Sequence, residues 1–356
     1  MSTLETSVDP VFGPVAAREA SANWGYGDDA DLELLCISEN ATYLVRDARA
    51  DEPAVLRLNR PGYHDRQALA SELAWTAALR AARVVCTPGW LPTADGEPVA
   101  ALGSATAGGP ARHAVLFGYA PGAHPADTGN ADMGNTESSA GRELLEIGGI
   151  AARLHAHSRS WRKPQWFQRF SWDLTAALGD GAGTPGRWGD WRIGCPPAGR
   201  EVLSAAQTQV RQALSGYGYA PERYGLIHAD LRASNLLVND EATGSRVTVI
   251  DFDDCGYSWF LYDLAASVSF LEHRPELPDL VGGWLEGYRG SQPVDPIGVV
   301  DLAVIPALVM LRRLQLQAWS SSHADTEMVR SLGPGFGEQT VEVAERYLSA
   351  AWLTGF

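Results

Sequence analysis

The sequence has almost no lysine. Lys163 is the single lysine among 356 residues, so 27 of the 28 basic residues are arginines. Acidic residues number 43, which gives a formal net charge of −15. Nucleic acids and anionic membranes are bound through an excess of basic residues, so we predict that neither is a partner. A site that needs a cation must use arginine almost everywhere, and a small cationic ligand would suit the charge.

Cysteines and long apolar stretches are also scarce. The four cysteines lie far apart and form no C-x-x-C pair, which argues against a disulfide framework and a structural zinc site. The apolar stretch around residues 303–311 contains Pro306 and is far shorter than the roughly 20 residues of a membrane span. The N-terminus lacks a basic start followed by an apolar run. We therefore expect a cytoplasmic protein.

Two lobes are predicted, because the chain exceeds one ordinary core of about 100 to 150 residues. Before residue 120, apolar alternation predicts five strands, and a stripe with helical spacing predicts one helix. The strands fall within residues 32–47 (two, with a turn at 38–40), 53–61, 97–103 and 113–119, with a Gly-rich turn at 103–109 and the helix at 65–82. These elements predict an N-lobe at 1–120.

The pattern becomes mainly helical from about residue 139, which predicts a C-lobe at 121–356 and an α+β fold. The predicted helices cover residues 141–158, 202–214, 262–271, 278–288, 308–319 and 338–352. Five tryptophans at 161, 166, 172, 188 and 191 fall between the first two. Because tryptophan buries a large area, we expect most of them in the core.

One stretch, residues 226–254, carries the chemistry. Its segment LIHADLRASN fits H-x-D-x-x-x-x-N, and a later apolar strand ends in VID. Phosphoryl transfer needs a carboxylate to orient and deprotonate the attacking hydroxyl, and oxygen ligands that hold Mg²⁺ on the phosphates. The spacing predicts Asp230 as the base, with Asn235 and Asp251 as metal ligands. H-x-D alone often arises by chance, but the whole series in this order rarely does.

With these motifs the chain resembles the aminoglycoside phosphotransferase and choline kinase group, small-molecule kinases with a protein-kinase-like fold. HADLRASN and VIDFDDCGYSWFLYDLA are especially similar to its bacterial branch of homoserine-kinase-like and stress-response kinases. The resemblance covers about residues 33–348. It implies the same roles for Asp230, Asn235 and Asp251, an anchoring role for Asp263 on the catalytic loop, and a structural role for His228.

The resemblance also interprets the first lobe. Arg57 occupies the position of the family's phosphate-binding lysine, and Glu72 that of its helix partner. A guanidinium can bind phosphate oxygens in a bidentate way. Alternatively, the two are exposed surface residues, as such pairs are common. Ser38 and Asn40 would belong to the loop over the phosphates, although SENAT is not a G-x-G-x-x-G loop.

Further candidates follow from the same resemblance. Backbone groups of Phe117 and Tyr119 would bind adenine in the segment that joins the lobes. Arg232 would add a positive charge near the transferred phosphate, or would pair with an acidic neighbour. Asp253 and Asp254 are either further metal or substrate ligands or turn formers. For the acceptor, the candidates are Trp259, Glu272, His273 and Asp279.

The function predicted is ATP- and Mg²⁺-dependent phosphorylation of a hydroxyl on a small molecule. The acceptor would be an aminoglycoside or other antibiotic, whose modification confers resistance, or an amino alcohol or sugar. The acidity of the protein favours an acceptor with positive charge. Two alternatives stay open. One is a Ser/Thr protein kinase of the stress-response type, and the other is a pseudokinase that binds nucleotide without turnover, favoured only by arginine in place of lysine.

Overall fold

The computed structural model describes residues 11–103, 108–125, 136–180, 185–239, 247–291, 297–324, 326–349 and 352–353. The chain divides into two compact units. The first comprises Met1–Gly122, Lys163–Arg169 and Asn239–Asp253, and the second Ala123–Arg162, Phe170–Val238 and Asp254–Phe356. Division into domains at 1–120 and 121–356 stays a prediction, because compact units need not fold independently.

A six-stranded antiparallel sheet forms the first unit, with strand order β1-β2-β3-β6-β4 and β5 paired to β6. Its strands are β1 (Asp31–Ile37), β2 (Ala41–Arg46), β3 (Ala54–Asn59), β4 (Trp90–Leu91), β5 (Ala100–Leu102) and β6 (Arg112–Gly118). Two helices accompany it, α1 (Pro14–Ser21) and α2 (Arg66–Ala81). The two-residue strand β4 was not predicted, because so short a segment shows no alternation. Part of the predicted turn at 103–109, residues 104–107, lies outside the described residues.

The period of two along β3 separates an apolar face from the face that carries Arg57. Leu56 and Leu58 belong to a buried cluster shared with α1 and the neighbouring strands. On α2, the side chain of Asp65 caps the helix by accepting a hydrogen bond from Ala68 N at 2.7 Å. The next turns of α2 bring Glu72, which is buried, to Arg57.

The second unit is mainly helical. Its helices are α3 (Thr136–Ser160), α4 (Leu174–Leu178), α5 (Arg200–Tyr217), α6 (Tyr262–Ser267), α7 (Leu277–Gly290), α8 (Val299–Ser322), α9 (Glu327–Leu332) and α10 (Phe336–Leu348). Its strands β7 (Tyr224–Ile227) and β10 (Gly256–Trp259) pair antiparallel, and β8 (Leu236–Val238) also belongs to this unit. Strand β9 (Val247–Val249) belongs to the first unit. The tryptophans at 172, 188 and 191 are buried, and Trp166 is exposed. This architecture confirms the α+β class.

Several helix ends differ from the predicted ones. Helix α6 ends at Ser267 instead of 271, because Phe270 adopts φ 68°, which a right-handed helix excludes. Helix α8 begins nine residues before its predicted start and continues through Pro306, although proline removes one backbone hydrogen bond. Within the described ranges, no helix combines the length and apolar character that crossing a membrane requires.

Candidate active site

The predicted catalytic loop, residues 228–235, follows β7 and is held by one buried carboxylate. The backbone N–H groups of Ala229 and His228 donate to Asp263 Oδ1 and Oδ2 at 2.7 and 3.2 Å. Ala229 has φ 69°, so the chain turns sharply before Asp230, and Asp263 supplies the acceptors that this turn needs. Asp263 on α6 is fully buried, in the position that an anchor for the loop requires.

Two buried histidines support this loop. His155 Nε2 lies 3.0 Å from Asp263 Oδ2, and its Nδ1 lies 3.0 Å from the hydroxyl of Tyr288. Burial lowers the pKa of His155 against the opposing effect of Asp263, so the ring is neutral at pH 7. His228 Nδ1 accepts a hydrogen bond from Asp230 N at 3.3 Å. The placement of His228 is that of a structural residue.

Three polar side chains surround the carboxylate of Asp230. Arg312 Nη2 lies 2.5 Å from Oδ1, while Arg232 Nε and Asn235 Nδ2 lie 3.2 and 2.8 Å from Oδ2. Burial raises the pKa of Asp230, but Arg232 and Arg312 together outweigh it and lower that pKa to about 2. The carboxylate is therefore ionised at any physiological pH. Arg232 thus pairs with an acidic neighbour, one of the two roles considered for it.

Asn235 is oriented by the same loop. It ends a single 3₁₀ turn, and its Nδ2 donates to both Asp230 O and Asp230 Oδ2 at 2.8 Å. With Nδ2 turned toward Asp230, the amide oxygen Oδ1 is the group left for a ligand, and it is a hard oxygen of the kind Mg²⁺ prefers. Asn235 therefore fits the role of a metal ligand.

Arg57 and Glu72 form a buried bidentate pair in the first unit. Arg57 Nη1 and Nη2 donate to Glu72 Oε1 and Oε2 at 2.9 and 2.7 Å. Burial lowers the pKa of Arg57, but Glu72 outweighs it and the pKa is raised, so the guanidinium stays charged. The reading of both as exposed surface residues is wrong. In the described part of the chain, Arg57 Nε has no hydrogen-bond partner and remains a free buried donor.

The side chain of Asn40 is hydrogen-bonded to a carboxylate. Its Nδ2 donates to Asp253 Oδ2 at 2.6 Å, and its Oδ1 accepts from Arg60 N at 3.0 Å. Burial raises the pKa of Asp253, but Arg57 and other neighbours outweigh it and lower that pKa. Because its side chain is occupied, Asn40 can meet phosphate only through its backbone. Ser38 N donates to Asn40 O at 2.9 Å, which closes the turn between β1 and β2.

The remaining candidates for nucleotide and metal binding lie within strands or just after them. Asp251 follows β9 with φ 64°, a left-handed conformation that takes it out of the predicted strand. Phe117 pairs with Val55 on one side and Trp90 on the other, so its backbone lies inside the sheet. Tyr119 is exposed and lies just beyond the last paired residue, which favours it over Phe117 as an adenine contact.

Two of the four acceptor candidates are corrected by their burial. Trp259 is fully buried and donates its Nε1–H to Gly218 O at 2.7 Å. Glu272 is fully buried and accepts from Arg313 Nη1 at 3.0 Å. Neither has surface with which to contact a ligand. His273 is half-buried, and burial lowers its pKa, whereas Asp279 is exposed on the first turn of α7.

Sequence reasoning missed Arg312, which contacts the predicted base. Arg312 directly follows the apolar stretch at residues 303–311. The available signal was Arg312-Arg313 within a long apolar helix pattern, because charged residues in a buried helix require partners. No group of three or more His, Cys, Asp or Glu side chains that could hold a metal lies among the described residues. A metal bound by Asn235 would need further oxygen ligands, which water or phosphate can supply.

Comparison with protein families gives a match over residues 38–297 to the phosphotransferase enzyme family. The chain belongs to this family. The match confirms the resemblance drawn from the motifs and the predicted enzyme class, an ATP-dependent phosphotransferase.

Three relatives are informative. The structure of a microcompartment-associated aminopropanol kinase has 38% sequence identity and a TM-score of 0.80, covering 94% of this chain and 98% of its own. Amicoumacin kinase of Bacillus subtilis (strain 168) is 23% identical over 309 residues, which cover 83% of this chain and 81% of that protein. An amicoumacin kinase in complex with AMP-PNP, Ca²⁺ and Ami has 20% identity and a TM-score of 0.71, covering 96% of this chain and 95% of its own. These neighbours confirm the kinase-like fold.

Proposed function

We propose that this protein transfers the γ-phosphoryl group of ATP to the hydroxyl of a small amino alcohol in the cytoplasm. The observation that carries the proposal is the 38% identity to an aminopropanol kinase over nearly the full length of both chains. The catalytic loop supports it, since Asp230, Asn235 and Asp263 stand in one connected hydrogen-bond network. The acidic net charge of −15 suits an ammonium-bearing acceptor.

In the proposed reaction the acceptor hydroxyl attacks the γ-phosphorus, and the bond from that phosphorus to the β,γ-bridging oxygen breaks, releasing ADP. Asp230 orients the hydroxyl and takes its proton. Its pKa of about 2 makes it a weak base, which suits a loose transition state in which the proton leaves late. Orientation is therefore the larger part of its role.

The phosphates would be held by Arg57, through donors that Glu72 does not occupy. These are the second hydrogens on Nη1 and Nη2, and Glu72 fixes the plane of the guanidinium. Asn235 and Asp251 would hold Mg²⁺, which neutralises charge on the phosphate oxygens when bound. Arg232 would add a second cation, because its guanidinium is partly exposed beside Asp230.

For the ammonium group of the acceptor we propose Asp254. Burial lowers the pKa of Arg312, while Tyr262, Asp230 and Asp254 raise it, so the carboxylate of Asp254 acts on the same guanidinium as Asp230. We expect Asp254→Asn to raise KM for 1-amino-2-propanol about tenfold, the value of one charged hydrogen bond, and to leave KM for 1,2-propanediol unchanged. Equal effects on the amine and the diol would show that Asp254 does not bind the ammonium group.

The alternatives have less support. A protein kinase would act on a polypeptide, whereas the relatives described above are kinases of small molecules. A pseudokinase was favoured by Arg57 in place of lysine, but the buried pair with Glu72 keeps a cation at this position.

The proposal is tested by measuring ADP release with amino alcohols, choline, homoserine, aminoglycosides, nucleoside antibiotics and sugars. We expect 1-amino-2-propanol or a close amino alcohol to give the highest kcat/KM. A higher kcat/KM for an antibiotic, or for a protein substrate, would overturn the acceptor class.

A thermal-shift assay with Mg-ATP tests nucleotide binding separately from the identity of the acceptor. Wild-type protein is expected to be stabilised, and Asp251→Ala to lose most of that stabilisation because a metal ligand is removed. If Mg-ATP stabilised neither protein, the nucleotide-dependent function would fail.

A further inference from the structure

Two consecutive arginines lie in the most buried part of α8. Arg312 is 2% exposed and Arg313 is fully buried, in a helix whose neighbouring side chains are largely apolar. Removing a guanidinium from water is costly unless its donors are matched by acceptors. Each arginine is therefore expected to have a defined set of partners, and the two sets differ.

Arg313 has partners on α10 and in the segment after α6. It donates to Glu272 Oε2 at 3.0 Å and to Thr340 Oγ1 at 2.9 Å, and its guanidinium lies 4.0 Å from the centre of the Phe336 ring. None of these residues belongs to the catalytic loop. Arg313 thus joins α8 to α10 and to the segment after α6.

Arg312 instead faces the catalytic loop. Its Nη2 lies 2.5 Å from Asp230 Oδ1, and its Nη1 lies 3.4 Å from the carbonyl oxygen of Ala229. The guanidinium is fixed on its other sides by Ser269 Oγ, 2.9 Å from Nε, and by the Trp188 ring, whose centre is 4.8 Å away. A cation held at so many points can fix the position of the carboxylate that it binds.

The hydroxyl of Tyr262 restrains Arg312 further, on a side away from the catalytic loop. Arg312 Nη1 lies 3.3 Å from the hydroxyl of Tyr262, which itself donates to Gln315 Oε1 at 2.7 Å. Tyr262 and Gln315 are both buried, so the guanidinium cannot easily turn. On the opposite side of the carboxylate, Asn235 and Arg232 bind Oδ2. Asp230 is thus restrained through both of its oxygens.

We propose that Arg312 is a positioning residue that sets the orientation of the Asp230 carboxylate toward the acceptor hydroxyl. The inference rests on the proposed phosphoryl transfer, in which Asp230 must hold the nucleophile in line with the γ-phosphorus. A misplacement of about 1 Å can lower a rate by roughly 10²-fold. Arg312 acts only through Asp230 and needs no contact with either substrate.

The experiment compares Arg312→Lys and Arg312→Met with the matched variants Arg313→Lys and Arg313→Met. We expect Arg312→Met to lower kcat by roughly 10²-fold with KM for ATP unchanged. Arg312→Lys should recover part of kcat, because an ammonium can still bind Oδ1 but lacks the fork that fixes it. Both Arg313 variants should lower the melting temperature while kcat per folded molecule stays near wild type.

Equal losses of kcat in the Arg312→Met and Arg313→Met proteins would overturn the proposal, since any buried arginine would then have the same effect. Wild-type kcat in Arg312→Met would also overturn it. If Arg312→Met does not fold, the Lys variants decide by the same comparison.

A double-mutant cycle on thermal unfolding with Arg312→Met and Asp230→Asn separates this inference from the proposed function. If the contact holds the carboxylate, the double variant is more stable than the sum of the single losses predicts, because neither charge is left unpaired. Additive losses would overturn the inference whatever the acceptor is. Failure of wild-type protein to phosphorylate any amino alcohol would refute the proposed function, and kcat would then be measured with the acceptor that the panel identifies.

Discussion

Two arginine–carboxylate pairs, Arg57–Glu72 and Arg312–Asp230, each contain one residue proposed to act in the reaction, and they differ in which partner is the more exposed. In the first unit, the Arg57 and Glu72 side chains are 7% and 1% exposed, so the carboxylate is the member shielded from solvent. In the second unit, Arg312 is 2% exposed and Asp230 is 14% exposed, so here the guanidinium is the member shielded from solvent. The more exposed member of each pair is the one for which a role in the reaction is proposed.

The two geometries fit this division. Glu72 binds both terminal nitrogens of Arg57, so the carboxylate is fully used in orienting a guanidinium whose Nε–H remains free. Arg312 binds a single oxygen of Asp230, so the guanidinium orients a carboxylate that other groups can still approach. A buried ion pair is weak support for stability as such. Both pairs are better understood as one fixed residue holding one functional residue.

The largest effect is expected for Asp230→Asn. Loss of the base should lower kcat by roughly 10²- to 10⁴-fold, the usual contribution of general base catalysis. ATP binding, measured by isothermal titration, should stay near the wild-type value, because Arg57 and Asp251 are intact. The variant should also melt at a lower temperature, since Arg312 loses the charge of its partner.

Asp230→Glu is the control for Asp230→Asn, because it keeps the charge and moves it by one methylene. Intermediate activity in this variant would agree with a role in orientation. Loss of ATP binding and of turnover to the same extent in Asp230→Asn would mean that Asp230 is not the base, and the comparison between the two pairs would break.

Much of the fold could be predicted because its signals are local. The alternation in β3 and the stripe on α2 each require only a few neighbouring residues, whereas the pairing of Arg57 with Glu72 is predicted by the family resemblance alone. Strands β7 and β10 were missed, since each has four residues and their pairing joins segments about 30 residues apart. A short strand shows too few alternations to be distinguished from a loop.

The candidate site could be predicted where spacing alone fixes the chemistry. The five-residue separation of Asp230 and Asn235 on one loop is a local property, and the structure has the two side chains in contact. The contact of Arg312 with Asp230 joins residues 82 positions apart, and no sequence pattern near Asp230 predicts it. The burial of Trp259 and Glu272 likewise cannot be read from the sequence, and their prediction as acceptor contacts rests on the family resemblance alone.

A second test sharpens the comparison through stability. Glu72→Gln removes the charge that compensates buried Arg57, and we expect a loss on the order of 3 kcal/mol of unfolding free energy, as found when one partner of a buried pair is removed. The matched control is Glu97→Gln, whose partner Arg66 lies 2.5 Å away in a pair that is about half exposed. Chemical denaturation should show a loss below about 1 kcal/mol there. Similar losses of unfolding free energy in Glu72→Gln and Glu97→Gln would show that the buried Arg57–Glu72 pair matters no more than an exposed pair.

The smallest effect is expected for Asn40→Ala. The change removes the hydrogen bonds to Asp253 Oδ2 and from Arg60 N, and leaves a buried carboxylate with one donor fewer, at a cost of about 1.5 to 3 kcal/mol. KM for ATP should rise modestly, because the turn between β1 and β2 loses its attachment while Arg57 and Glu72 stay paired. Asn40→Asp should be worse than Asn40→Ala, since it sets one carboxylate against another. Denaturation and initial-rate measurements on both variants check the order, and the reverse order would mean that Asn40 does not bind Asp253 in solution.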